Sequence, residues 1–291
     1  MNGLLIIDKP SGMTSHDVVS RARRATGEQS IGHLGTLDPM ATGVLPLLLG
    51  KFTRLAQFYG SHEKSYTGSI RFGFATDTYD AEGTPTSAPV KPSLTIEHIR
   101  AAAARFRGEI DQLPPPISAK KIGGKAAYKI ARSGETPKLK PARIHIAEFA
   151  FTAFEGELAG FSIRISSGGY VRSVAHELGQ IPGPGAHLAS LRRTASGPFT
   201  IEQAIPLDKA ESLAREGRLD AHLPHPRTLL PEVPAVSVDE QTLARLRNGM
   251  QINLPEFTQA PVVKVFYGQR ELVAIGKRIA GTLFQPTIVL L

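Results

Sequence analysis

Residues 32–45 read Gly-His-Leu-Gly-Thr-Leu-Asp-Pro-Met-Ala-Thr-Gly-Val-Leu, and the reading of the chain turns on them. Three glycines and a proline in the first dozen describe a tight loop, not a regular element. The loop carries a carboxylate, Asp38, and an imidazole, His33, five residues before it. On local grounds an aspartate ahead of a proline is a turn or cap residue, and a lone histidine is more often packed or exposed than reactive.

Outward from this loop the chain alternates helix and strand signals. Residues 4–7 form a short apolar run, read as a buried strand ended by Asp8-Lys9-Pro10. Ser15 is placed to cap a helix with Val18, Val19 and Ala22 on one face, Arg21 and Arg24 on another, and Gly27 at its end. Tyr66, Gly68, Ile70 and Phe72 alternate with Thr67, Ser69 and Arg71, the pattern of a half-buried strand. Thr95 caps a helix that turns Ile99, Ala103 and Phe106 inward and stops at Gly108. Phe161, Ile163 and Ile165 mark another strand, closed by Ser166-Ser167-Gly168-Gly169. Asp208 and Glu211 have capping-box spacing for a helix ending at Gly217. No regular βαβ period emerges, so the fold class is α+β. Prolines at 224, 226, 231 and 234 mark a domain boundary. Beyond it, a short helix around Leu243 and Leu246 and apolar runs at 262–266, 272–275 and 288–291 suit a small β-barrel.

Composition narrows the function. The 291 residues, 41% apolar, support a large domain and a small one. Thirty-four Lys and Arg against 26 Asp and Glu give a formal charge of +8, which suits a polyanionic partner. Much of the excess lies in residues 120–143, read as an exposed basic insertion that is only partly regular. Without cysteine, disulfides and zinc–thiolate sites are excluded. Residues 1–10 lack a signal-peptide pattern and no 18-residue apolar run occurs, so a cytoplasmic protein off the membrane is expected. No P-loop is present, and His176-Glu177-Leu178-Gly179-Gln180 lacks the second histidine of a zincin, so it reads as helix surface. Asp77, Asp80 and Glu82 do not have EF-hand spacing and read as a polar turn. No cofactor and no metal are expected.

The segment 32–45 resembles the signature of bacterial tRNA pseudouridine-55 synthases, the TruB family. Five further stretches resemble that family in order: Asp8-Lys9-Pro10-Ser11-Gly12-Met13-Thr14-Ser15; Lys64-Ser65-Tyr66 with residues 76–83; Pro115-Pro116-Ile117-Ser118-Ala119-Lys120-Lys121 with Gly124, Tyr128 and Ala131-Arg132; Gly168-Gly169-Tyr170-Val171-Arg172; and Leu191-Arg192-Arg193. The likeness is strong from residue 3 to about 200. Leu34, Ile117, Ser167 and Gly169 depart from the usual residues, which touches peripheral RNA contacts rather than chemistry.

The resemblance implies isomerisation of uridine to pseudouridine at position 55 in the T-loop of tRNA. Asp38 would be the catalytic carboxylate, Arg172 its positive partner, and Tyr66 a ring against the extruded uracil. His33 would refill the gap left by the flipped base, Leu191 would line the pocket, and Lys9 would steady the loop or a phosphate. Tyr170, Asp80 and Lys121 lie in matched motifs and are expected at the substrate. It also implies a pseudouridine synthase domain over 1–231 with a central mixed, largely antiparallel sheet and a basic RNA-gripping insertion at about 107–143. A PUA-like RNA-binding barrel would occupy 232–291. A monomer gripping the tRNA T-arm is expected, with no protein partner. Two rivals stand beside it: a tRNA-folding chaperone whose catalysis is incidental, and a guide-RNA-dependent synthase. The insertion counts against the second.

Overall fold

The computed structural model describes residues 1–118, 121, 122, 124–127, 130, 133, 135, 137, 139–254 and 260–291. Its first strand, β1 (Gly3–Lys9), is apolar on both sides because it has two cores to fill. Leu5 and Ile7 enter one, with the helices; Leu4 and Ile6 enter another, shared with the C-terminal sheet. The two-residue period of a strand produces this split.

Next come α1 (Ser15–Thr26), β2 (Ile31–His33), β3 (Thr42–Leu49) and β4 (Lys64–Phe72). After α2 (Ile96–Ala103) and β5 (Gly108–Gln112), a short hairpin pairs β6 (Lys121–Ile122) with β7 (Lys125–Ala126). Then follow β8 (Ala142–Glu155), β9 (Leu158–Ile165), α3 (Val171–Gln180), β10 (Ala186–Ser196), β11 (Phe199–Thr200), β12 (Ile205–Pro206) and α4 (Leu207–Arg215). One sheet runs β12-β1-β3-β10-β4-β9-β8-β5, with β2 on β3 and β11 on β10. Among the described residues its parallel contacts are β12–β1 and β3–β10, so it is mixed and largely antiparallel as expected. At the second contact Gly43, with φ +101°, lies so close that a Cβ would meet the Arg193 carbonyl oxygen at 2.2 Å. Only glycine lets the signature loop dock on β10.

Several local expectations need correction. Thr14, not Ser15, caps α1: its side chain accepts from the Asp17 amide, and Asp17 answers at the Thr14 amide. Ser15 is buried and bonded to Leu37 instead. Asp208 and Glu211 do not cap α4, whose N-cap is Pro206; both carboxylates bind Arg21 of α1. The ends of the glycine-rich loop are regular, belonging to β2 and β3. Within the expected insertion of about 107–143, Gly108–Gln112 pairs with the start of β8 and so belongs to the main sheet.

The C-terminal part holds β13 (Ala235–Val238), α5 (Glu240–Arg247), β14 (Ile252–Asn253), β15 (Val262–Tyr267), β16 (Glu271–Ala280) and β17 (Leu283–Val289). These strands form a five-stranded sheet ordered β13-β15-β16-β17-β14. The strand expected at 288–291 starts earlier, at Leu283, its period obscured by Pro286. Among the described residues β13 and β14 do not pair, so the sheet is open at that seam. The proline-rich stretch before it is packed: Leu229, Leu230 and Val233 join the core between the sheets. Lys264 Nζ, buried, donates to the carbonyls of Arg227, Leu229 and Leu230 at 3.2, 2.6 and 2.9 Å. No helix among the described residues is long and apolar enough to cross a membrane.

Candidate active site

Asp38 sits on the loop between β2 and β3, which three side chains hold by its backbone. Lys9, without exposed surface, donates to the carbonyls of Pro10, Met13 and Pro39 at 2.9, 2.6 and 3.2 Å. Ser15 Oγ accepts from the Leu37 amide at 2.8 Å and faces the Leu37 carbonyl at 3.2 Å. Arg193, equally buried, donates to Val44, Gly35 and Thr36 carbonyls at 2.7, 3.0 and 3.4 Å. Buried cations bonded only to carbonyls are costly, and such sites persist where the backbone has no other partner.

Over this loop stands Arg172, the second residue of α3. Its Nε meets Asp38 Oδ2 at 2.9 Å and its Nη2 meets Oδ1 at 3.1 Å, a bidentate fork. Nη1 donates to the Thr78 carbonyl at 3.1 Å and faces Asp80 Oδ2 at 3.6 Å. The Arg172 side chain is 7% exposed and that of Asp38 35%, so the arginine is structure and the carboxylate is offered to the cleft. Asp80 is buried behind Arg172, accepting from Thr78 Oγ1 at 2.6 Å and the Glu82 amide at 3.1 Å.

The cleft is a cavity of about 400 Å³ lined by Asp38, Arg172, Tyr66, Leu191, Tyr170 and His33, among others. Tyr66 presents its ring, and its hydroxyl has no hydrogen-bond partner among the described residues. Among the described residues the buried His33 Nδ1 has no partner, and burial, helped by Arg193, lowers its pKa and favours the neutral imidazole. Tyr170 precedes α3, its amide donating to Gln112 Oε1 at 2.8 Å and its carbonyl accepting from Gln112 Nε2 at 3.0 Å.

The structure thus brings Asp38, Tyr66, Arg172, His33, Leu191 and Tyr170 to one cavity. Lys9 and Asp80 lie outside it, one under the loop and one behind Arg172. Of Lys121 only the backbone is described; Ala119, Lys120, Tyr128, Ala131 and Arg132 lie outside the described residues. Two departures have local reasons. Ser167 Oγ donates to the Gly60 carbonyl at 2.6 Å, and a Cβ on Gly169 would meet Ile165 Cδ1 at 2.3 Å. Arg193, Gln112 and Lys64 carried no assigned role in the sequence. Arg193 was findable: two residues after Leu191 on one strand, it shares the cavity face, while Arg192 turns away to Asp8 at 2.8 Å.

A model described as TruB family pseudouridylate synthase (N terminal domain) matches residues 23–171. Another, tRNA pseudouridylate synthase B C-terminal domain, matches 172–231. The tRNA pseudouridine synthase B of Solibacter usitatus (strain Ellin6076) is 48% identical over 294 residues, covering all of both chains. The chain belongs to the TruB family. Its namesake from Geobacillus kaustophilus (strain HTA426) is 39% identical over 266 residues, 89% of this chain and 93% of that one. Among solved structures, a chain of a Cbf5-Nop10-Gar1 complex superposes with a TM-score of 0.71 at 25% identity, covering 99% of this chain and 85% of its own. A chain of an H/ACA RNP bound to a substrate RNA containing 2′-deoxyuridine gives 0.71 at 24% identity, covering 99% and 85%, and shows the shared fold. This TruB family member has the pseudouridine synthase fold, a mixed sheet with helices.

Proposed function

We propose that this chain isomerises uridine to pseudouridine in tRNA, at position 55 of the T-loop, with Asp38 as the reacting carboxylate. The observation that carries the reading is the Asp38–Arg172 fork: an aspartate gripped through both oxygens yet open to a cavity that also holds a tyrosine and a leucine. Pseudouridine forms when the C1′–N1 bond breaks, the uracil turns, and C1′ joins C5, which gives up its proton while N1 takes one. Neither redox change nor group donor enters the balance. Addition of a carboxylate to the sugar, its addition to the base, and removal of the C2′ proton all need an ionised, oriented carboxylate. Arg172 supplies both conditions, and the Thr78 carbonyl and Asp80 behind it fix the direction of its guanidinium.

Flipping a stacked base out of a loop costs roughly a few kcal/mol. The ring of Tyr66 and the side chain of Leu191 offer the uracil an apolar seat. A neutral His33 at the cavity rim is suited to stack where the base had been. Residues 1–231 then form the catalytic domain and 232–291 a PUA-like RNA-binding module. The basic insertion grips the T-arm, and the protein works as a monomer in the cytoplasm. Full-length likeness to proteins named tRNA pseudouridine synthase B, together with the insertion, favours guide-free action.

The test is purified protein with one unmodified tRNA transcript and no other RNA. Pseudouridine at position 55 is expected from wild type. Asp38→Asn should give none while binding tRNA within about threefold of wild type, since shape is kept and only the reactive oxygen is lost. Turnover of that variant within tenfold of wild type removes Asp38 from the chemistry.

A further inference from the structure

Uracil is neutral and Asp38 already has Arg172, yet the cavity lining holds two more cations, Arg193 and Lys64. Neither lies within ion-pair distance of a carboxylate among the described residues. Arg193 donates to three backbone carbonyls, and half-buried Lys64 donates to the His62 carbonyl at 2.9 Å. An ammonium has three N–H groups, so Lys64 keeps two to give, while Arg193, fully buried with each nitrogen on a carbonyl, contributes its charge from behind the wall. They converge at Gly35, where a Cβ would lie 3.3 Å from Lys64 Cε and 3.5 Å from Arg193 Nη1. On the same wall His33 holds its buried, unpartnered Nδ1.

Such a wall is electrostatically unfinished. Burial first, then Arg193, pushes the Lys64 pKa below its ordinary value, and the same two causes act on His33. Like charges in a half-dry cleft repel unless an anion joins them, and an anion there is attracted more strongly than in bulk water. The carboxylate chemistry of Asp38 needs no such surplus. A base that enters the cleft, however, arrives on a sugar with a phosphodiester on each side.

We propose that Lys64, backed by the buried charge of Arg193, forms a phosphodiester subsite beside Gly35, which takes an RNA phosphate next to the nucleotide whose base lies against Tyr66. The inference rests on the function proposed above. It makes the cleft a reader of a nucleotide within a strand: the base is held at one part of the wall and its backbone at another. Free uridine lacks the second handle.

The experiment uses the full chain and T-arm hairpins bearing a single methylphosphonate, which removes one backbone charge, on either side of the target uridine. Wild type should bind one of the two about tenfold more weakly than the all-phosphate hairpin, the size of a lost charge-assisted contact. In Lys64→Met that same hairpin should cost less than about twofold, and Lys64→Arg should restore the sensitivity. Lys64 is half-buried at the cavity edge, so the test does not depend on altering Arg193. Equal losses in wild type and Lys64→Met at both positions overturn the subsite. Conversion of the all-phosphate hairpin by wild type is read in the same samples. If it is absent, the functional reading fails and the subsite falls with it. If conversion is normal and the coupling nil, the subsite alone fails.

Discussion

The ammonium of Lys9 meets three carbonyls, which can only accept, so all three of its N–H groups are needed. Burial lowers its pKa from 10.5 to about 8, outweighing the attraction of Asp38. A neutral amine has two N–H groups and would leave one carbonyl facing a lone pair. Conversion should therefore fall as pH rises past about 8, and Lys9→Arg, charged far above that pH, should lose this limb. Stability moves the other way. Between about 8 and 10.5 the unfolded chain binds a proton that the folded chain has released, so this group adds stability as pH rises through that window. Melting temperature holding or rising while turnover falls identifies Lys9; a parallel fall points to another group. Tyr66→Phe should keep the stacking platform and lose the unpartnered hydroxyl, slowing single turnover by about a hundredfold at near-normal affinity. Wild-type kinetics would leave the hydroxyl idle. Asp38, Tyr66 and Arg172 were named through the family resemblance, where local chemistry alone made Asp38 a turn residue, and the fold places all three on one cavity. Lys9 was expected to steady the loop or a phosphate, and it holds the loop at Pro39; the tasks of Arg193 and Asp80 were not legible, since their partners are carbonyls and side chains brought together only by the fold.

At the scale of elements, α3 joins the Asp38 cavity to the segment that follows β5. It carries Arg172, and its N-terminal turn is tied to the root of the insertion. Gln112 makes paired bonds to the Tyr170 backbone, and Ser173 Oγ donates to the Leu113 carbonyl at 2.7 Å. A shift at Gln112 or Leu113 would thereby reach the helix that aims Arg172. Gln112→Leu keeps volume and removes both bonds, leaving the Tyr170 amide unpaired at about 1–3 kcal/mol while its carbonyl keeps the Val174 amide at 3.2 Å. The expected result is a lower melting temperature, tRNA affinity within about threefold, and single-turnover conversion slowed by about tenfold or more at saturating RNA. An unchanged rate in the destabilised variant would make Gln112 a packing residue only. Strands with one wet face, β4 and β9, were legible from their alternation. β3 was not: Thr-Gly-Val-Leu-Pro-Leu-Leu-Leu is buried on both faces and has no period to read. β10 hides its period behind register shifts at Leu188/Ser190 and Arg193/Ala195.

Across the whole molecule, chain order and packing give opposite forecasts for removing residues 232–291. Every matched catalytic residue precedes residue 194, so order alone predicts weaker tRNA binding with the chemical step intact. Packing says otherwise. Leu4, Ile6, Val44, Leu48 and Tyr59 share one core with Phe266, Leu272, Ile275, Ile288 and Leu290, and Tyr59 also lines the catalytic cavity. Arg54 Nη1 donates to the Val289 carbonyl at 2.5 Å, and Arg227 lies over the Phe266 ring at 4.4 Å. Burial of each large apolar side chain is worth ~1.5–3 kcal/mol, so losing five partners rivals the ~5–15 kcal/mol that holds a typical domain together. The truncated chain should therefore unfold or aggregate, and the composition of the tail cannot reveal this because its apolar runs suit an independent module equally well. Phe266→Ala tests the coupling without a truncation. It should cost ~3–5 kcal/mol of stability, as a large buried ring does. It should also slow single turnover at saturating RNA, because Phe266 and Tyr59 belong to one core and Tyr59 lines the cavity. Arg247→Ala, exposed on α5 of the same module, should leave both quantities unchanged. If Phe266→Ala melts early yet converts bound RNA at the wild-type rate, the tail is a prop for folding and the cavity wall is rigid without it.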